Sequence, residues 1–122
     1  MHPFREAVES GDIDAVTALL AEDVVFRSPV VFTPYQGRDA VAPILQAVFR
    51  VFEDFRYARE IGAADASDHA LMFQARVGDI QLEGVDLLHT TPDGLVDELV
   101  VMIRPIKGVF ALAEAMKAEL SR

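Results

Sequence analysis

Cysteine is absent from this 122-residue chain, which excludes disulfides, thiolate metal sites and a cysteine nucleophile. Basic residues are scarce: eleven Lys and Arg stand against twenty Asp and Glu, for a formal net charge of -9. So acidic a surface repels phosphate backbones and anionic headgroups, and no basic cluster offsets it. Neither nucleic acid nor a membrane is expected as a partner. Long hydrophobic runs are also missing, and no stretch approaches the length of a bilayer span. The opening Met1-His2-Pro3-Phe4-Arg5-Glu6 reaches mixed charge too soon for a signal peptide. A cytoplasmic protein is the expectation. The histidines His2, His69 and His89 are scattered, with no helical H-E-x-x-H spacing, so no metal site is expected. The glycines form no phosphate-binding G-x-G-x-x-G or P-loop, and no serine lies in a nucleophile elbow. No cofactor is expected.

What the chain does have is apolar mass. Hydrophobic residues make up 52% of it, eight of them phenylalanine. That is rich for a length that allows one domain, 1–122, with a real core. Either the interior is unusually apolar or a further surface is buried between subunits.

The periodicity changes once along the chain. Phe4, Ala7 and Val8 form a helical stripe ended by Ser10-Gly11, and Asp12 caps a second helix carrying Ile13, Val16, Leu19 and Leu20. Val24-Val25-Phe26 reads as a short strand ended by Ser28-Pro29. A long helix follows over about 38–54, with Val41, Ile44, Leu45, Val48, Phe49 and Phe52 on one face. Pro43 places the first turn of that helix near Asp39. From Phe55 the period is two, with strands at 55–63, 69–77, 80–90 and 95–104 joined by turns at Gly78-Asp79 and Pro92-Asp93-Gly94. A closing helix spans 106–120. Helices, an antiparallel meander and a last helix make an α+β domain.

The strands are apolar on both faces. Leu82, Leu88, Leu99, Val101 and Ile103 share one parity; Val85, Leu87, Val96, Val100 and Met102 share the other. One face packs on the helices, and the other would be left to water unless a second sheet covers it. The expectation is a homodimer through the sheet face. The alternative is that the closing helix covers that face.

Asp86 stands out against this pattern. In Leu82-Glu83-Gly84-Val85-Asp86-Leu87-Leu88 it shares a face with Ile80, Leu82, Gly84 and Leu88. A carboxylate on an apolar face is costly unless paired, hydrogen-bonded or held neutral. It marks either a pocket or a structural hydrogen bond. Arg59, sharing parity with Phe55, Tyr57 and Ile61, is a possible counter-charge, and Asp97 reads as a rim residue.

The run Gly11-Asp12-Ile13-Asp14-Ala15-Val16, then Leu20-Ala21-Glu22-Asp23-Val24-Val25-Phe26 and Gly37-Arg38-Asp39-Ala40-Val41, resembles the nuclear transport factor 2-like, or SnoaL-like, superfamily. Gly84-Val85-Asp86, Asp93-Gly94 and Arg104-Pro105 before an alanine-rich helix resemble the same group. The resemblance implies a cone: a curved antiparallel sheet wrapped around a long helix, with an apolar pocket at one end. Ketosteroid isomerases of this superfamily use a tyrosine on the first helix, an aspartate base before a proline, and a protonated aspartate on a central strand. By position these fall on Phe4, Ser28 and Asp86. Phe4 has no hydroxyl and Ser28 is no base at neutral pH, so the resemblance does not carry steroid isomerisation by that route. Epoxide hydrolases use an arginine and two aspartates, which Arg76-Val77-Gly78 does not match. Polyketide cyclases pair an acid with a histidine, which here would be Asp86 with His69 or His89.

The expected ligand is a small, mostly apolar molecule carrying a carbonyl or hydroxyl. Asp86 is the catalytic candidate. Phe4, Val8, Phe26, Ile44, Val48, Leu82, Leu99, Val101 and Ile103 are expected as walls, and Ser28 and Tyr35 as hydroxyls near the mouth. Any chemistry would be cofactor-independent isomerisation, cyclisation or hydrolysis. The rival reading is a non-catalytic ligand-binding or dimerisation module.

Overall fold

The structure, a computed structural model, describes residues 1–121. Helix α1 (Pro3–Glu9) starts on a proline, which already has the helical φ and no N–H to satisfy. Its cap is His2, whose ring Nδ1 accepts from the Phe4 amide at 3.0 Å. Asp12 caps α2 (Ile13–Ala18) through the Ala15 amide at 3.1 Å. Leu19 and Leu20 lie beyond that helix, contrary to their helical spacing. The Leu19 carbonyl accepts from the Val96 amide at 2.7 Å and Leu20 lies opposite Val96. Sheet pairing thus draws these residues out of the helix and extends β1 to Leu20–Arg27.

After β2 (Tyr35–Gln36), α3 runs over Arg38–Val51 with Pro43 inside it. The strands β3 (Glu53–Ile61), β4 (Asp68–Val77), β5 (Ile80–Thr90) and β6 (Val96–Arg104) follow, then α4 (Ile106–Leu120). The six strands form one curved, open sheet in the order β2-β1-β6-β5-β4-β3. The pairs β3–β4, β4–β5 and β5–β6 are the expected antiparallel meander. β1 joins β6 in parallel, so the finished sheet has one parallel seam.

One face of the sheet carries the core. Leu71, Phe73 and Ala75 of β4, Leu82 and Leu88 of β5, and Leu99 of β6 are all buried there with Val41 and Leu45 of α3. α4 closes on this same face. A Cβ on Gly108 would sit 2.7 Å from Leu82 Cβ, so only glycine lets the helix come this near. Gly84 serves similarly within the sheet, where a Cβ would meet the Met102 carbonyl at 2.4 Å and the Phe73 ring at 2.6 Å.

Three expectations are corrected. The closing helix does not cover the outer face, because Gly108 and Leu112 of α4 are buried on the inner side. Val96 belongs to the core and not to the outer face: the register shifts between His89 and Thr90, and Val96 is then held against Leu20. Arg59 is exposed. A register shift between Tyr57 and Arg59 reverses the alternation of β3, turning Arg59 and Ile61 outward and Glu60 inward. The outer face keeps Ile61, Leu87 and Met102 exposed, with Met72, Val85 and Val100 partly exposed around them. Among the described residues, no helix is long and apolar enough to cross a membrane.

Candidate functional site

Between the inner face of the sheet and the helices lies a cavity of about 90 Å³. On a comparable footing one water needs ~10–15 Å³, so there is room for several heavy atoms. α1 contributes Phe4 and Val8, β1 Phe26, and the loop after it Pro29. The long helix α3 and its end contribute Leu45, Val48, Phe49 and Phe52, and α4 contributes Leu112. The sheet supplies Phe55, Tyr57, Phe73, Asp86, Leu99, Val101 and Ile103. Among the described residues, only Tyr57 and Asp86 bring polar side chains to this wall.

Those two are bonded to each other. The Tyr57 hydroxyl donates to Oδ2 of Asp86 at 2.8 Å, diagonally across β4, where Tyr57 pairs with Phe73 and Asp86 with Leu71. Burial pushes the Asp86 carboxyl up to about 7, and the hydrogen bond from Tyr57 pulls the other way. Burial, then the neighbouring Asp86, hold the Tyr57 phenol far above its usual range, so it stays a donor. Tyr57 is itself clamped. The rings of Phe55 and Phe73 meet it edge-on at centroid distances of 5.0 and 6.5 Å, and the Arg5 guanidinium lies 5.8 Å from its centroid. Arg5 is tied to Glu9 at 3.3 Å and to Glu60 at 3.4 Å. The result is a weakly acidic carboxyl, partly protonated at neutral pH, at a wall that is hydrocarbon apart from it and the Tyr57 hydroxyl. Such a group can donate a hydrogen bond to an oxygen or, once ionised, accept one.

Of the residues expected in the site, Asp86, Phe4, Val8, Phe26, Val48, Leu99, Val101 and Ile103 come together around this cavity. Ser28, Tyr35, Ile44 and Leu82 do not line it. Ser28 turns into its own loop, its Oγ accepting from the Val30 and Val31 amides at 3.0 Å each. Tyr35 stacks on Phe26, with centroids 6.0 Å apart. Ile44 packs against the core, and Leu82 is covered by Gly108. Neither histidine joins Asp86 at the cavity. His89 Nδ1 lies 2.6 Å from Asp97 Oδ1, and His69 Nε2 lies 2.8 Å from the Ala63 carbonyl. Among the described residues, no three His, Asp or Glu side chains are grouped to hold a metal ion.

Tyr57 is the polar residue that sequence reasoning passed over. Its signal was present: a tyrosine on the apolar parity of β3, whose hydroxyl must find a partner once buried. The phenylalanines Phe49, Phe52, Phe55 and Phe73 carry no such signal, since an aromatic at a core position reads the same whether or not a void lies beside it.

A curved sheet with helices packed into it, and a cavity bearing one carboxyl, define a cystatin-like α+β protein. The chain belongs to the SnoaL-like domain family, whose model matches residues 2–99. It is similar to a steroid Δ-isomerase from Pseudomonas aeruginosa, at 39% identity and a TM-score of 0.91, covering 97% of this chain and 86% of that one. It is equally similar to a protein of cystatin-like fold from Silicibacter pomeroyi, at 42% identity and a TM-score of 0.91, covering 99% and 87%. A polyketide cyclase-like protein from Pseudomonas putida shares the fold at 18% identity and a TM-score of 0.69, covering 87% and 89%. No protein of curated function matches the sequence.

Proposed function

We propose that this protein binds a small, mostly apolar molecule carrying one carbonyl oxygen, with protonated Asp86 as its hydrogen-bond donor. The observation that carries the reading is the Asp86 carboxyl at the cavity wall, raised to about 7 by burial and fixed by Tyr57. A hydrocarbon ligand body replaces water against the walls, and the acid satisfies the one oxygen. The chemistry suited to such a donor is isomerisation or aldol-type cyclisation, in which negative charge develops on that oxygen. The similarity to a steroid Δ-isomerase supports this class. Among the described residues, the cavity wall offers no second carboxylate or histidine as a base, so binding and polarisation of the carbonyl are the core of the proposal.

The test uses 1-indanone, whose oxygen only accepts hydrogen bonds, and indane, its oxygen-free counterpart. At pH 6, Asp86→Asn should weaken indanone binding about three- to tenfold, because an amide donates less strongly than an acid. Indane should bind both proteins alike. Equal binding of indanone to both would remove Asp86 from the site and favour a module in which the carboxyl is structural.

The second part of the proposal is a homodimer through the outer sheet face. Met102 and Ile61 are 55% and 52% exposed there, and among the described residues the helices that contact the sheet are buried on its other side. A second copy offers the same apolar surface, which two-fold pairing buries on both partners at once.

A further inference from the structure

We infer that Tyr57 is the positioning residue of this site: its hydroxyl holds Oδ2 of Asp86 and leaves Oδ1 as the oxygen presented to a ligand. The inference rests on the ligand reading above but concerns a different residue and has its own measurement.

A lone aspartic carboxyl turns freely about its last bond, because that torsion is broad and two-fold. Its two oxygens are then interchangeable, and its proton has no fixed address. Here the exchange is blocked. Oδ2 accepts from Tyr57 at 2.8 Å, while no protein group among the described residues bonds Oδ1. With Oδ2 occupied as an acceptor, the acid proton belongs on Oδ1, the free oxygen of a side chain that lines the cavity.

Tyr57 can do this because it cannot turn away. Phe55 and Phe73 hold its ring edge-on, Arg5 lies over its face, and Arg5 is anchored by Glu9 on α1 and by Glu60 on β3. The groups that load the dyad are therefore Arg5, Glu9 and Glu60 around Tyr57, and Tyr57 itself on Asp86. The arrangement is serial: Arg5 steadies the phenol, the phenol orients the acid, and the acid meets the ligand.

Two opposed consequences separate positioning from mere packing. Without the phenol hydroxyl the carboxyl is no longer oriented, so the acid form binds a ketone less well. The same hydrogen bond favours the ionised carboxylate. Its loss therefore keeps Asp86 protonated to higher pH.

The experiment compares wild type, Tyr57→Phe and Asp86→Asn. Tyr57→Phe keeps the ring and its contacts, and circular dichroism checks the fold. Carbon-13 titration of the Asp86 carboxyl, without ligand, should show the Tyr57→Phe midpoint at higher pH than wild type. Indanone affinity from pH 5 to 9 should fall in wild type as pH rises through about 7. In Tyr57→Phe it should be several-fold weaker at pH 5 and fall at higher pH, so the two curves approach or cross. Asp86→Asn should be flat.

An unmoved or lowered carbon-13 midpoint in Tyr57→Phe overturns the positioning role, whatever any ligand does. So does unchanged indanone affinity at pH 5 where wild type shows the pH-dependent fall. Flat wild-type affinity beside a raised carbon-13 midpoint instead supports the hold of Tyr57 on Asp86 and overturns the ligand reading.

Discussion

Replacing Asp86 with asparagine should change how folding stability depends on pH, and the size of the change follows from burial. In the unfolded chain the carboxyl returns to its ordinary value of 3.8; in the cavity it stands at about 7. A carboxyl whose pKa is raised by folding binds its proton more tightly in the native state. Its contribution is therefore fully present below pH 3.8 and is lost progressively as pH rises toward 7. Each pH unit in that window is worth ~1.4 kcal/mol. Across the whole window the penalty is roughly 4 kcal/mol, a large share of a small domain's stability. The asparagine amide can still accept from Tyr57 and cannot ionise. Urea unfolding of both proteins at half-unit steps from pH 4 to pH 8 gives two stability curves. The stability of wild type minus that of Asp86→Asn should fall steadily by several kcal/mol and level off above pH 7. A flat difference would refute burial as the cause of the shift, and a rising one would mean that Asp86 is ion-paired.

The remaining predictions concern packing. Met102→Glu places a charge at the centre of the exposed sheet face, so it should convert a dimer to a monomer in sedimentation equilibrium at unchanged circular dichroism. Persistence of the dimer would sink the sheet-face interface. Gly84→Ala puts a methyl against the Met102 carbonyl and the Phe73 ring. It should destabilise by about 1–3 kcal/mol in urea unfolding, and a neutral result would contradict the close approach of β5 to its neighbours.

The fold was largely legible because its signals are local. The shift from helical to alternating spacing at Phe55, the cap at Asp12 and the turns at Gly78 and Gly94 each mark an element within a few residues. Errors arose where pairing between distant segments overrides local pattern. Leu19 and Leu20 are spaced for a helix, yet β6 draws them into the sheet. Arg59 has the inward parity of β3 until the shift after Tyr57 reverses it. Alternation cannot reveal such a shift, because it lies in the partner's hydrogen bonds.

The site was legible only at its polar point. Asp86 breaks an apolar face and so advertises itself, whereas the void beside it has no spelling in the sequence. Leu82 and Leu99 read alike, yet Gly108 covers one and the cavity borders the other. The Tyr57–Asp86 bond joins residues 29 positions apart across an intervening strand, and only the register of β3, β4 and β5 brings them together. Ser28 failed for the opposite reason. Its position before Pro29 suggested a site, but its hydroxyl is consumed by its own loop.

In the proposed function, Asp86 meets a ligand as a neutral acid. Its most direct test is carbon-13 titration of the Asp86 carboxyl with and without saturating 1-indanone. The midpoint should lie near 7 in the free protein and rise clearly on binding, because the ketone stabilises the protonated form. A free midpoint near 4, or one that indanone leaves unmoved, would contradict it.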